Sequence, residues 1–81
     1  MITVDNVRLL LASDSDAVLV LVEGRIDVVD PAELDTDAYR GALHIITREE
    51  LVEQAGGELL SERELVEQAA ALDMAVSELG G

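Results

Sequence analysis

The chain has no cysteine, no lysine, no phenylalanine and no tryptophan, and it holds one tyrosine (Tyr39), one proline (Pro31) and one histidine (His44). Without cysteine there is no disulfide, no thiolate metal site and no catalytic thiol, and a small secreted scaffold lacking such staples would be unusual. Without Phe or Trp the core has to be packed by Leu, Val, Ile and Ala, and stacking platforms for single-stranded nucleic acid are missing. Without lysine only five arginines supply positive charge. That is too few for the phosphate neutralisation on which nucleic-acid binding depends. A single imidazole cannot build a two-histidine metal site within one chain. The longest purely apolar run, Ala17 to Val22, falls far short of the roughly 20 residues that span a bilayer. Met1-Ile2-Thr3-Val4-Asp5 also lacks the basic start of a signal peptide. These absences predict a soluble cytoplasmic protein that binds neither membrane nor nucleic acid.

Acid is abundant instead. Eighteen Asp and Glu oppose the five Arg, for a formal net charge of −13, while 49% of the residues are apolar. The acids fall evenly along the chain, nine before residue 47 and nine after it, so they do not form a disordered tail, and the apolar content suits a folded chain. Eighty-one residues allow one small domain, 1–81. A chain of this size buries only about 60% of its unfolded surface, which favours self-association.

The first half alternates β-prone runs with turn residues. Val7 to Ala12 and Ala17 to Val22 are separated by Ser13-Asp14-Ser15-Asp16, whose short polar side chains favour turns, and Glu23-Gly24 joins the second run to Arg25–Val29 through a tight hairpin. Val18 to Val22 has no polar residue on either face and reads as a central strand. Asp30-Pro31 ends that unit, with one helical turn at Pro31-Ala32-Glu33-Leu34 capped by Asp30. Ala42 to Ile46 reads as a short edge strand.

The second half changes period. Thr47-Arg48-Glu49-Glu50-Leu51-Val52-Glu53-Gln54-Ala55 is echoed by Ser61-Glu62-Arg63-Glu64-Leu65-Val66-Glu67-Gln68-Ala69. Each phrase opens with a capping box, Thr47 with Glu50 and Ser61 with Glu64, in which cap and third residue satisfy each other's free amides. Gly56-Gly57 closes the first helix. The second carries Leu65, Ala69, Leu72, Val76 and Leu79 on one stripe and stops at Gly80-Gly81. Two copies of a phrase are too few for a solenoid, so they read as two well-capped helices. The expected architecture is α+β: a three- to four-stranded antiparallel meander over residues 2–46, with helices at about 48–55 and 62–79 packed on one sheet face.

Candidate chemistry is sparse. Glu33, Asp35 and Asp37 alternate like the opening of a calcium loop, but Ala38 and His44 stand where an EF-hand needs its turn glycine and its bidentate glutamate. That leaves Asp30, Glu33, Asp35 and Asp37 as candidates for a weak cation site and Asp14 with Asp16 as a weaker pair. Asp14 and Asp16 fit turn chemistry. His44 is read as structural and on the wetter side of its strand, since a general base needs a partner that the sequence does not indicate. No Ser or Thr sits in a nucleophile elbow. The expectation is therefore no catalytic residue, no cofactor and no built metal site.

The functional expectation is a small noncatalytic interaction or regulatory module that self-associates. If the two helices cover Val18, Val20 and Val22, then Leu19 and Leu21, with Leu10, form an apolar strip suited to a homodimer interface. In the competing arrangement the acidic loop around Leu34 and Tyr39 folds over that strip within one chain. Two alternatives explain the charge. An acidic antagonist or adaptor, antitoxin-like or imitating a phosphate backbone, would dock on a basic protein. A cytoplasm of very high salt, or a coding bias, would instead make the acidity a mark of environment.

Overall fold

The computed structural model describes residues 1–79, Leu79 by its backbone alone; the expected stop at Gly80-Gly81 and the Leu79 end of the apolar stripe lie outside what is described. Three helices pack on one face of a three-stranded sheet. In chain order the elements are α1 (Val4–Ala12), β1 (Val18–Val22), β2 (Arg25–Val29), the short α2 (Pro31–Leu34), a 3-10 turn at Asp37–Tyr39, β3 (Leu43–Thr47), α3 (Arg48–Ala55) and α4 (Glu62–Leu79). The class is α+β with an antiparallel sheet, as the sequence predicts, and β1 is the central strand.

Both predicted capping boxes form. The Thr47 hydroxyl accepts the Glu50 N–H at 3.1 Å while Glu50 Oε1 accepts the Thr47 N–H at 3.0 Å. Ser61 and Glu64 make the same exchange at 3.2 and 3.0 Å. Gly56 ends α3 at φ 85°, the left-handed conformation that glycine adopts without a Cβ penalty. Leu65, Ala69, Leu72 and Val76 of α4 are buried in a four, three, four spacing.

Two features depart from the predicted meander. Val7–Ala12 is the end of a helix, α1, and not a strand. Thr3 caps α1 in the same reciprocal way as Thr47, with Asn6 in the place of glutamate: the Thr3 N–H donates to Asn6 Oδ1 at 2.8 Å and the Asn6 N–H to the Thr3 hydroxyl at 3.3 Å. Val7 and Leu10, three residues apart, then point into the core and are fully buried. The second departure is the strand order, β2-β1-β3. The chain leaves β2, crosses over β1 and pairs β3 on its far side, so residues 30–42 form a strap across one sheet face.

The two sheet faces follow from one parity. Glu23 and Gly24, at φ 49° and 78°, make a two-residue hairpin turn that pairs Val22 with Arg25, Val20 with Asp27 and Val18 with Val29. The valines of β1 therefore share a face with Arg25 and Asp27, and Leu19 and Leu21 share the other with Val28 and Ile26. The helices take the second, more apolar face. Leu19, Val7, Leu10 and Leu51 are wholly buried there, joined by Ile46 and the α4 stripe. Val18, Val20, Val22 and Val29 form a separate cluster covered by Leu34, Tyr39 and Ala42 of the strap.

This arrangement corrects the predicted dimer strip. Leu10 and Leu19 are fully buried and Leu21 is half-buried within the helix-side core. They form no outward patch, because the helices cover the leucine face and leave the valine face to the strap. The covering loop of the competing arrangement does exist, on the opposite face from the one expected.

Candidate functional site

Among the described residues, chemistry-bearing side chains meet on the strap face, within the strap and in the helix layer, and the local fold explains most of what they do. On the strap face, the Tyr39 hydroxyl donates to Asp27 Oδ2 at 2.8 Å, and Asp27 Oδ1 accepts the Val28 N–H at 2.9 Å. Residues flanking a two-residue turn form a hydrogen-bonded pair, so Val28 directs its N–H away from β1 toward the open edge. Asp27 thus caps an edge-strand donor with one oxygen and holds the strap with the other. The hydrogen bond to Asp27 raises the Tyr39 pKa above 10.0, reinforced by burial and by the Asp27 and Glu33 charges and opposed by Arg25. A phenol held protonated in this way is a donor and a poor base.

His44 occupies the same face. Its backbone partner is Val20, which also pairs with Asp27, so imidazole and carboxylate sit two strand spacings apart, roughly 10 Å at the backbone. The imidazole is exposed, on the wet side that strand alternation predicts. A bulge between Leu19 and Val20 shifts the register of β3 beside it. On this second edge strand the outward Thr47 N–H is taken by Glu50. One edge donor on each side of the sheet is therefore closed by a carboxylate, which blunts edge-to-edge pairing.

The four acids singled out for cation binding serve the strap. The Asp30 N–H donates to Glu33 Oε1 at 3.3 Å and the Glu33 N–H to the Asp30 carbonyl at 2.9 Å. Asp35 follows α2 as its C-cap, and Asp37 pairs with Arg40 at 2.8 Å. Among the described residues no three acidic or histidine side chains converge on a point that could hold a metal ion. Asp14, Asp30 and Glu33 line a shallow hollow of about 230 Å³ beside Val28 and Val29, with no cationic side chain among its lining residues.

The third place is the helix layer. Arg48 Nε donates to the Leu11 carbonyl at 3.0 Å and its Nη2 pairs with Glu58 at 3.0 Å. It thereby satisfies the end of α1, which has no basic residue in its own last turn. Arg8 pairs with Glu62. Asp73 accepts the Ile2 N–H at 2.9 Å and pairs with the terminal amine at 3.3 Å. That Ile2 hydrogen bond, helped by the amine, holds the Asp73 carboxyl below the usual range. The Thr47 amide and hydroxyl do the same for Glu50.

After these pairings the acid excess remains outward. Asp37, Glu58, Glu62 and Asp73 have cationic partners within 4.0 Å, against eighteen acids in the chain. Large apolar side chains are also exposed: Met1, Leu9 on α1, Leu59 in the α3–α4 connection, and Val66 and Met74 on α4. Leu59 borders a groove of about 380 Å³ with Leu11, Leu60 and Leu65. Apolar spacing in the sequence marks the buried side of α4; Val66 and Met74 lie off that stripe, and their signal in the sequence is a four-residue phase through Ala70. No described helix is long and apolar enough to cross a membrane. The chain matches no protein-family model, no curated protein and no solved structure.

Proposed function

We propose that the protein is a small noncatalytic binding module whose acidic surface docks on a basic protein partner. The observation that carries this reading is the surface itself: exposed Val66 and Met74 on α4 lie among acids, Glu62 and Asp73 paired with Arg8 and the terminal amine, and exposed Glu67 and Glu78 with no ion pair among the described residues. Charge of one sign steers a partner of the opposite sign and sets the register of contact, while exposed apolar side chains supply the desolvation that holds it. The hydrogen-bonded carboxylates Asp27, Glu50 and Asp73 serve a strap, a cap and a chain tether, which supports a structural use of these groups over a catalytic one. Self-association through Leu10, Leu19 and Leu21 would require them outside the fold, and two chains at −13 each repel one another until salt screens them.

The test is capture from native lysate on the immobilised chain across a salt series. The expected result is a stoichiometric partner rich in Lys and Arg, released steeply between about 50 and 500 mM salt. Recovery of the chain's own copies alone, or of a partner indifferent to salt, overturns the reading.

A further inference from the structure

We infer that the docking site lies on the outer face of α4 and that its occupant is an amphipathic helix bearing an apolar ridge bordered by Lys or Arg; this rests on the reading of the protein as a module for a basic partner. The inner stripe of α4 is spent on the core. Val66, Ala70 and Met74 recur every four residues on a different side. At 100° per residue each such step turns by about 40°, so the three make one continuous ridge. Val66 is 53% and Met74 67% exposed, and Ala70 is exposed between them. A small residue flanked by two larger ones leaves a notch that an aliphatic side chain of a second helix can enter.

Charge identifies the occupant. On the edge of the ridge nearer α1 lie Glu62 and Asp73, whose charges are met by Arg8 and the terminal amine. Helical spacing puts Glu67 and Glu78 along the opposite edge, and both are exposed. Arg63, in the first turn, is the cation on this arc among the described residues and has no ion pair there. An apolar ridge bordered on its outer edge by the unpaired acids Glu67 and Glu78 complements a helix whose own ridge is bordered by Lys or Arg. A second copy of this chain would bring acid against acid, and nucleic acid or an anionic bilayer would be repelled by the same charge.

The probe is a designed peptide of Leu and Lys, about 18 residues or five turns long, with leucines on one helical stripe. The control has the same composition in scrambled order. Both are titrated into the intact chain at about 20 mM salt, where surface charge is little screened, with amide shifts recorded along α4. A second titration uses the variant Val66→Asn with Met74→Gln. It keeps the charge unchanged and touches only exposed positions, and circular dichroism checks that it folds. The expected result is binding of the striped peptide at least ~10-fold tighter than the scrambled one. Shifts should centre on residues 66–74, and affinity for the double variant should fall by a similar factor. Equal binding of both peptides, unaffected by the double variant, overturns the α4 site and leaves the basic-partner reading standing. No binding of either peptide also overturns the site, while the lysate capture judges the broader reading independently. Concentration-dependent self-association that the double variant abolishes overturns the proposal in favour of a second copy as occupant.

Discussion

One face of the sheet is closed by three helices, and the other by a strap of thirteen residues, 30–42. On the helix side the covering elements are themselves part of the core: Val7 and Leu10 from α1, Leu51 from α3 and four residues of α4 are buried. On the strap side the sheet supplies Val18, Val20, Val22 and Val29, whereas neither α2 nor the 3-10 turn contributes a buried residue. Leu34, Tyr39 and Ala42 pack over the valines only half-buried. The strap also concentrates Asp30, Glu33, Asp35 and Asp37 against one arginine, Arg40. A segment can shield a core without being anchored as deeply as the core, and such a segment opens first because few apolar contacts close it. The two faces should therefore differ in stability, in exchange behaviour and in response to pH.

The largest difference is expected from changes on the central strand. Leu19→Asp places a carboxylate inside the helix-side cluster and should leave the chain unfolded, as read by circular dichroism. Leu19→Ala should cost about 2–5 kcal/mol in urea unfolding, the range for a leucine deleted from a packed core. Val20→Ala, equally inaccessible but beneath the strap, should cost about 1–3 kcal/mol, because fewer carbon atoms are removed and the strap can settle. If Leu19→Asp instead yields a folded monomer from a dimeric wild type, the assignment of the two faces is wrong and the leucine strip is an interface after all.

Much of this contrast is written in the sequence, though not all of it was legible there. The helices after Thr47 and Ser61 announce themselves because Glu at the third position gives the familiar reciprocal cap. At Thr3 the partner is Asn6, which makes the same two hydrogen bonds with a residue that also favours turns, so the apolar run after it reads as a strand. The phase that decides the matter is Val4, Val7 and Leu11, which is helical. The face taken by the helices was also recoverable. A two-residue hairpin at Glu23-Gly24 forces Val22 opposite Arg25, which aligns the β1 valines with Arg25 and Asp27 and the leucines with Ile26 and Val28. What local pattern could not supply is the crossover that carries β3 past β1, because the edge a strand joins is settled by packing between distant residues. The strap's role as a cover follows from that crossover alone. For the proposed binding site, the buried stripe of α4 is evident from apolar spacing, while Val66 and Met74 become informative only once α1 is known to leave their side uncovered.

A smaller effect should separate the strap from the rest of the fold. Tyr39→Phe removes the donor to Asp27 Oδ2 and keeps the ring that packs on the valines. Amide exchange in residues 30–42 should accelerate several-fold, with little change in residues 62–76, since local opening and global unfolding are distinct events. Equal acceleration in both segments would mean that strap and helix layer open as one unit.

The finest comparison uses pH, because the two faces are sensitive at opposite ends of the scale. Asp73 and Glu50 belong to the helix layer and have folded pKa values lowered chiefly by backbone amides. A carboxylate with a depressed folded pKa contributes stability above its unfolded pKa and loses that contribution as pH falls through the folded value, so this term fades below about pH 4. Asp73→Asn retains an acceptor for the Ile2 N–H but cannot titrate, and its difference from wild type should be constant near neutrality and shrink on acidification. Tyr39 has the opposite sign. Its folded pKa is raised, first by the hydrogen bond to Asp27, so its contribution is complete below the unfolded value of about 10 and is lost as pH rises through the folded one. The chain has a single tyrosine and no tryptophan, so tyrosinate absorbance reads the strap without interference. Ionisation should begin at higher pH than in a free tyrosine amide, and Asp27→Asn should move it back toward the ordinary value. A wild-type titration that coincides with the free amide would show that the Tyr39–Asp27 bond does not hold the strap in solution, and the stability contrast between the two faces would then rest on packing alone.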